Sequence, residues 1–428
     1  MAINYLNKIT LIIPFVHNFI SLLILVPAVL MISSCDDDSD DFDVGTSCRI
    51  CGVADRLPAD IVSMEKIYLS AEFLDVDGDG DLDMAMGSWD SPADPESRWA
   101  LTDRLLLNDG SGYFTDAPEG SMPLKIFNGV FSGATGITSI DANNDGHMDM
   151  IFSSWASDLG EKKLQLLIND GNGKFMDSTD LISENVESHI GWVGVADFDD
   201  DGKMDFWNPM GRWINTGTGF TRDNTDAVAV ADIDGDNLPD MIRLAAINEE
   251  FETQGLPTLE GGHHGTVAFD ADSDGDNDLF VAQDKEGFGM LSAPVKILLN
   301  NGTGVFSYAN DTIFIPSTPS FFFTGHNIMA ADYNGDGLTD VFIQEGGTDL
   351  EPYPGGQNRI LIQKANGTFA DETDSRLPIY NDYGHGVAIG DIDNDGDIDI
   401  YNNSITGGDY VSSCFLINDG NGFFTEEW

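Results

Sequence analysis

A chain of 428 residues is long enough for two or three ordinary domains or for one large repeat architecture. Its 74 acidic side chains against 19 basic ones give a formal charge of -55, so phosphate backbones are repelled at long range and nucleic-acid binding is excluded. With 41% hydrophobic and 10% aromatic residues the chain is nevertheless too apolar for a solvated polyanion, and acids set in short regular clusters among 47 glycines point to turns and cation sites.

The first element is apolar. Residues 9–32 are interrupted only by Thr10, His17, Asn18 and Ser21, with Lys8 the one positive charge ahead of them, which reads as an export signal or a membrane anchor. The run ends Ile32-Ser33-Ser34-Cys35, which resembles a bacterial lipobox, and the acidic stretch Asp36 to Asp43 follows at once. The expectation is a lipoprotein-type signal peptide over 1–34, a lipid anchor on Cys35 and an acidic tether over 35–60, leaving the remainder exported and held at the outer membrane or cell surface. A periplasm-facing anchor and an uncleaved transmembrane helix are the alternatives. In an oxidising compartment a disulfide from Cys48 or Cys51 to Cys414 is plausible.

An acidic nonapeptide then recurs seven times. The copies begin at Asp75, Asp141, Asp197, Asp232, Asp270, Asp332 and Asp391, and in each the first, third, fifth and ninth positions are Asp or Asn, a hard oxygen set suited to Ca²⁺. The candidate ligands are Asp75, Asp77, Asp79 and Asp83; Asp141, Asn143, Asp145 and Asp149; Asp197, Asp199, Asp201 and Asp205; and Asp232, Asp234, Asp236 and Asp240. They continue with Asp270, Asp272, Asp274 and Asp278; Asp332, Asn334, Asp336 and Asp340; and Asp391, Asp393, Asp395 and Asp399. Position seven adds a backbone carbonyl, from Asp81, His147, Lys203, Leu238, Asp276, Leu338 and Asp397. Position six must turn sharply and is Gly in six copies and Asn237 in the other. An EF-hand would need a Glu at position twelve, where Met86, Phe152, Asn208, Arg243, Val281, Ile343 and Asn402 stand.

The flanks read as buried strands, such as Gly386-Val387-Ala388-Ile389 before a loop and Val341-Phe342-Ile343 after one. Downstream of most loops comes a second hairpin, for instance LLLNDGSGYF from Leu105 and FLINDGNGFF from Phe415; only the fourth unit lacks it clearly, around Ala245 to Thr253. One unit is therefore strand A, acidic loop, strand B, connection, strand C, tight turn, strand D. The fold class expected is all-β, a seven-bladed β-propeller of four-stranded blades over residues 61–428 with a calcium loop in each blade, residues 52–66 being available to close the ring. These nonapeptides resemble the FG-GAP/VCBS repeats of integrin α-subunit propellers and bacterial exported proteins, a resemblance that implies a propeller with Ca²⁺ in the A-to-B loops. Gly384-His385-Gly386-Val387-Ala388 and Phe369-Ala370-Asp371 are also similar to the ASPIC-type subset.

In a meander the loops and tight turns share one face, which leaves the longer B-to-C and D-to-A connections on the other, upper face, where ligand contacts are expected. Trp89, Trp99, Trp155, Phe321, Phe322, Phe323, Tyr353, Tyr380, Tyr383 and Tyr410 lie on these connections and suit sugars or protein partners. His264, His326 and His385 each stand six residues before their loop, Asp226 does so in the fourth unit, and His189 stands eight before its loop; even offsets place them on one side of strand A. They read either as a converging site, holding a transition metal or serving acid/base chemistry, or as rim residues bonded to neighbouring backbone. The functional expectation is an exported, surface-tethered calcium-binding propeller with a carbohydrate or surface-protein ligand. The alternatives are a polysaccharide lyase or hydrolase using the His cluster, and an accessory or assembly protein.

Overall fold

The computed structural model describes residues 56–62, 68–88, 102–126, 134–154, 163–185, 193–208, 211–223, 229–242, 262–284, 295–309, 314–315, 325–346, 355–405 and 413–428. The chain divides into Met1–Gly52 and Val53–Trp428, and only the second unit has described residues. The apolar segment, Cys35 and the acidic tether therefore lie outside them. Among the described residues no helix is long and apolar enough to cross a membrane.

The second unit is a β-propeller. Each blade is an antiparallel meander in chain order, the first being Tyr68–Leu74, Asp83–Ser88, Arg104–Asn108 and Phe114–Asp116. The second strand of a blade is wedged between neighbouring blades on both faces, so its middle is apolar without alternation and even its polar ends are covered: Asp83–Ser88, Asp149–Ser154 and Asp340–Glu345 are buried at every residue. Outer strands such as Phe114–Asp116 and Phe175–Asp177 bury only their leading aromatic.

The described residues form six blades of four or five strands, not the seven expected. The unit beginning at Asp232 is a two-stranded sheet, Ala229–Ala231 paired with Asp240–Ile242. Its acidic loop is intact, but the sequence carries no clear tight-turn hairpin before the next loop at Asp270, and residues 243–261 lie outside the described residues. One blade instead has a fifth strand, Phe314–Ile315, lying parallel to Thr368–Asp371.

The core sits between blades. Phe73 and Phe114 of the first blade and Phe415 of the last stack with centroids 5.2 to 6.4 Å apart, in one cluster with Leu57, Ile61, Met84, Met86 and Tyr401. Each such fully buried side chain is worth about 1.5–3 kcal/mol in apolar transfer, so the seam between last and first blades has a substantial apolar core. No strand forms in 56–62; a one-turn helix, Ala59–Val62, buries Ile61 there instead.

Candidate metal centres

All seven acidic loops adopt one conformation, built from their own short side chains. The first aspartate accepts the position-six N–H on one oxygen, as from Gly80 to Asp75 at 3.1 Å, Gly202 to Asp197 at 2.8 Å and Gly396 to Asp391 at 2.9 Å. Position five accepts the position-seven N–H, for example Asp81 to Asp79 at 3.0 Å and Leu338 to Asp336 at 2.9 Å. Position six has positive φ in every copy, from Gly275 at 97° to Asn237 at 66°, as its residue types require. Position four is left-handed as well, which the sequence reading missed: Asn144, Asp200, Ser273 and Asn394 have φ of 55 to 66° there, and glycine stands at the same place in the other copies. The signal was present, since Gly, Asn, Asp and Ser are the residues that tolerate such a turn.

The ninth aspartate is the structural hub. One oxygen accepts the position-two N–H of its own loop, as from Val76 to Asp83 at 3.0 Å, and the other accepts a third-strand N–H, as from Asn108 at 2.9 Å. That third-strand residue, read from sequence as part of a turn, reaches into the preceding blade. Asn169 donates through Nδ2 to Val76 O at 2.8 Å, Asn215 to Ala142 O at 2.9 Å and Asn300 to Ile233 O at 2.8 Å. Gln363 takes the role toward Ala271 O at 2.9 Å, Asn418 toward Tyr333 O at 2.8 Å, and Asn108 toward Ile392 O at 2.7 Å, which links the first blade back to the last. Every acidic loop but the third thus has its position-two carbonyl held by the next blade around the ring.

Within the loops, the first, third and ninth aspartates form carboxylate triads with one oxygen from each within 4.8 Å of the others: Asp75, Asp77 and Asp83; Asp197, Asp199 and Asp205; Asp232, Asp234 and Asp240; Asp270, Asp272 and Asp278; Asp391, Asp393 and Asp399. In the remaining two loops the third position is Asn143 or Asn334, an amide oxygen in place of a carboxylate. Burial pushes the ninth carboxyl up to about 7 in Asp83, Asp340 and Asp399 and to about 6 in Asp149 and Asp278, with neighbouring loop carboxylates adding to the rise. The third-position acids Asp77, Asp272 and Asp393 are raised by the same two causes, desolvation first. Their Oδ1 atoms are buried and have no hydrogen-bond partner.

The histidine positions are brought to equivalent backbone sites, though not by simple alternation. His264, His326 and His385 lie at β-bulges, where the inner-strand register slips between His263 and Gly265, Gly325 and Asn327, and Gly384 and Gly386. The even-offset argument is corrected accordingly, because a bulge re-aims the side chain it carries. Leu69 and Thr135 occupy the same bulge in the first two blades, so the bulge belongs to the fold rather than to histidine. The His385 ring lies 6.3 Å from Tyr383, and its carbonyl accepts from Asn327 Nδ2 at 3.2 Å. The side chains of His264 and His326, and all of His189 and Asp226, lie outside the described residues.

Of the expected upper-face aromatics, Tyr380 and Tyr383 are buried, packed rather than presented; the others lie outside the described residues. Cys414 is a free, fully buried thiol 3.7 Å from Tyr380 Oη, which corrects the expected disulfide; Cys48 and Cys51 lie outside the described residues.

A ring of antiparallel blades, each opened by an acidic loop with clustered carboxylates, defines a β-propeller of acidic-loop repeats. The model of the FG-GAP-like repeat matches residues 75–152, 253–343 and 347–401, and the chain belongs to that family. No curated protein matches the chain. Similar solved structures include the V. cholerae biofilm matrix protein Bap1, at 12% identity and TM-score 0.26 over 71% of this chain and 38% of that one. Others are the Bacillus licheniformis rhamnogalacturonan lyase PL11, at 14% and 0.33 over 81% and 60%, and the Niastella koreensis GH74 enzyme, at 11% and 0.39 over 84% and 46%. The chain thus spans less than two thirds of the length of each, and likeness at these scores assigns no role to any residue here.

Proposed function

We propose that this chain is an exported, surface-tethered propeller whose acidic loops hold calcium and whose upper connections bind a carbohydrate or protein ligand. The observation that carries the ion assignment is the buried, unpartnered Oδ1 of Asp77, Asp272 and Asp393, each in a triad of carboxylates within 4.8 Å. Desolvated oxygens that repel one another and lack a donor need a cation, and an all-oxygen set suits a hard one. Asp or Asn at positions one, three, five and nine would hold it, with the position-seven carbonyl. Bound calcium supplies neutralising charge; the chain's own aspartates, tied down by loop N–H groups, keep the oxygens in place. Support for ligand binding is architectural: the loop face is fixed by short turns, which leaves the longer connections of the opposite face free to vary. A lipid on Cys35 would make the tether.

The test is metal analysis after dialysis against calcium, followed by a panel of glycans and polyanionic polysaccharides scored for binding and for unsaturated products by ultraviolet absorbance. Stoichiometric calcium with binding and no turnover is expected. A protein that retains no calcium after this dialysis would sink the ion assignment. The shared bulge of His264, His326 and His385 keeps one second reading, a lyase or hydrolase; turnover abolished by replacing those residues with Ala would favour it over the lectin-like or assembly role.

A further inference from the structure

The tripeptide Arg-Leu-Pro occurs twice, at Arg56-Leu57-Pro58 and Arg376-Leu377-Pro378. The second copy follows the outer strand Thr368–Asp371, begins with the last residue of a one-turn helix, Thr373–Arg376, and lies along the edge of the next blade. Leu377 is buried beside Phe424 there, and the Arg376 guanidinium sits 4.5 Å over the Phe423 ring and donates to Asn421 O. The first copy makes the same contacts on the first blade. Leu57 is buried beside Phe114, and the Arg56 guanidinium sits 5.2 Å over Tyr113 and donates to Ser111 O at 3.0 Å. Even the intervening glycines match: a Cβ on Gly112 would lie 2.1 Å from Arg56 Nη1, and one on Gly422 would lie 2.8 Å from Arg376 Nη1.

At other seams this place on the outer edge is filled by chain leaving the preceding blade. Phe175 N donates to Ser121 O at 2.7 Å, Ile182 bridges Phe220 in parallel, and Phe314–Ile315 runs parallel to Phe369 and Ala370. At the seam between last and first blades it is filled from upstream of the first blade. Arg56 O accepts from Phe114 N at 2.8 Å while Arg56 N donates to Trp428 O at 2.5 Å, so this residue bonds to both blades through its backbone. Its guanidinium also pairs with Glu427 and lies 3.5 Å from Asp393.

We propose that Arg56-Leu57 is a strap that closes the ring, standing in at the last seam for the exit segment that the preceding blade supplies elsewhere, so that undocking it opens this seam before any other. Among the described residues the seam is held by the strap, the stacked phenylalanines and side-chain bonds such as Asn403 Nδ2 to Tyr68 O at 2.6 Å. Planar guanidinium stacking and the two backbone bonds give the strap its register, and Leu57 gives it apolar anchorage.

The test is hydrogen exchange by mass spectrometry on the full chain carrying Arg56→Ala or Leu57→Ser, with Arg376→Ala as control. The expected result is a roughly tenfold or larger loss of protection in 111–116, 392–403 and 414–427, with 150–169 and 205–215 little changed. Arg376→Ala should not loosen 111–116. If Leu57→Ser does not fold, Arg56→Ala and Arg56→Lys decide, the lysine variant lying between wild type and alanine. An even rise across all blades, or none at the seam, overturns the proposal. The same selectivity is expected with calcium chloride and with chelator, so the outcome is independent of whether the loops bind ions.

Discussion

Chelation is the perturbation that tests the loops most directly. At about 2 mM calcium and a dissociation constant of roughly 10⁻⁴ M, each site adds about 1.8 kcal/mol to stability by mass action. The five all-carboxylate triads then supply about 9 kcal/mol, within the range of about 5–15 kcal/mol that holds ordinary proteins folded. With an unfolding entropy of about 2.1 cal/mol/K per residue over Val53–Trp428, EDTA should lower Tm by about 11 °C. The pH dependence gives a second signature. Burial raises Asp83, Asp340 and Asp399 to about 7 in the folded state, against about 3.9 in an unfolded chain. Groups raised on folding stabilise fully below the unfolded value and lose that contribution as pH climbs through the folded one. In EDTA, Tm should therefore fall between about pH 4 and pH 7; with calcium the ion replaces the proton and the fall should vanish. Differential scanning calorimetry at pH 5 and pH 8, with and without calcium, measures both effects. Identical Tm at pH 8 in verified metal-free and calcium-loaded protein would refute the reasoning.

Asn169→Leu removes donors to Val76 O, which keeps the Gly173 N–H, and to Met148 O; denaturant unfolding should show a loss of about 1–3 kcal/mol. Gly386→Ala places a Cβ 2.5 Å from Leu69 O, rigid backbone of the adjoining blade, and should lower stability by about 1–3 kcal/mol in the same assay. Glu72, half-buried on the first inner strand and bonded by Ser139 N and Oγ, is pushed up to about 7 by desolvation. Glu72→Gln keeps the acceptor and removes the titration, so it should raise Tm at pH 8 and much less at pH 5, a difference that thermal melts at the two pH values resolve.

How much of this was legible in sequence depended on whether one residue does one job. The acidic loops were readable because their oxygens and their position-six turn are encoded within nine residues, and the buried second strands because Met150-Ile151-Phe152 and Val341-Phe342-Ile343 carry no alternation. Asn108 and Asn169 misled because asparagine before Asp-Gly is sufficient as a turn former; their reach to a carbonyl of another blade leaves no local trace. The bulges were invisible for a related reason. Leu69, Thr135 and His385 share no chemistry, and the slip is set by pairing with the second strand rather than by the bulged residue. The blade count failed at Asp232, where the intact loop was counted as a full blade although the second hairpin is already lacking from the sequence there.

The ninth aspartate explains why the loops and the ring cannot be considered separately. Asp149 holds its own loop through Ala142 N and holds Asn169 through the backbone N–H, while the Asn169 side chain grips Val76 in the loop of the blade before it. Val76 N is itself held by Asp83. A displacement of one carboxylate triad therefore moves a hydrogen-bonded carbonyl in the adjacent loop, and neutralising one loop steadies the next. The acidic charge that would otherwise weaken a compact fold is concentrated at the positions where a bound cation would tighten seams between blades. Chelation should accordingly loosen those seams before it unravels any blade, because strands within a blade pair mainly through their own backbone ladders, to which the ninth aspartate adds one bond from the third strand.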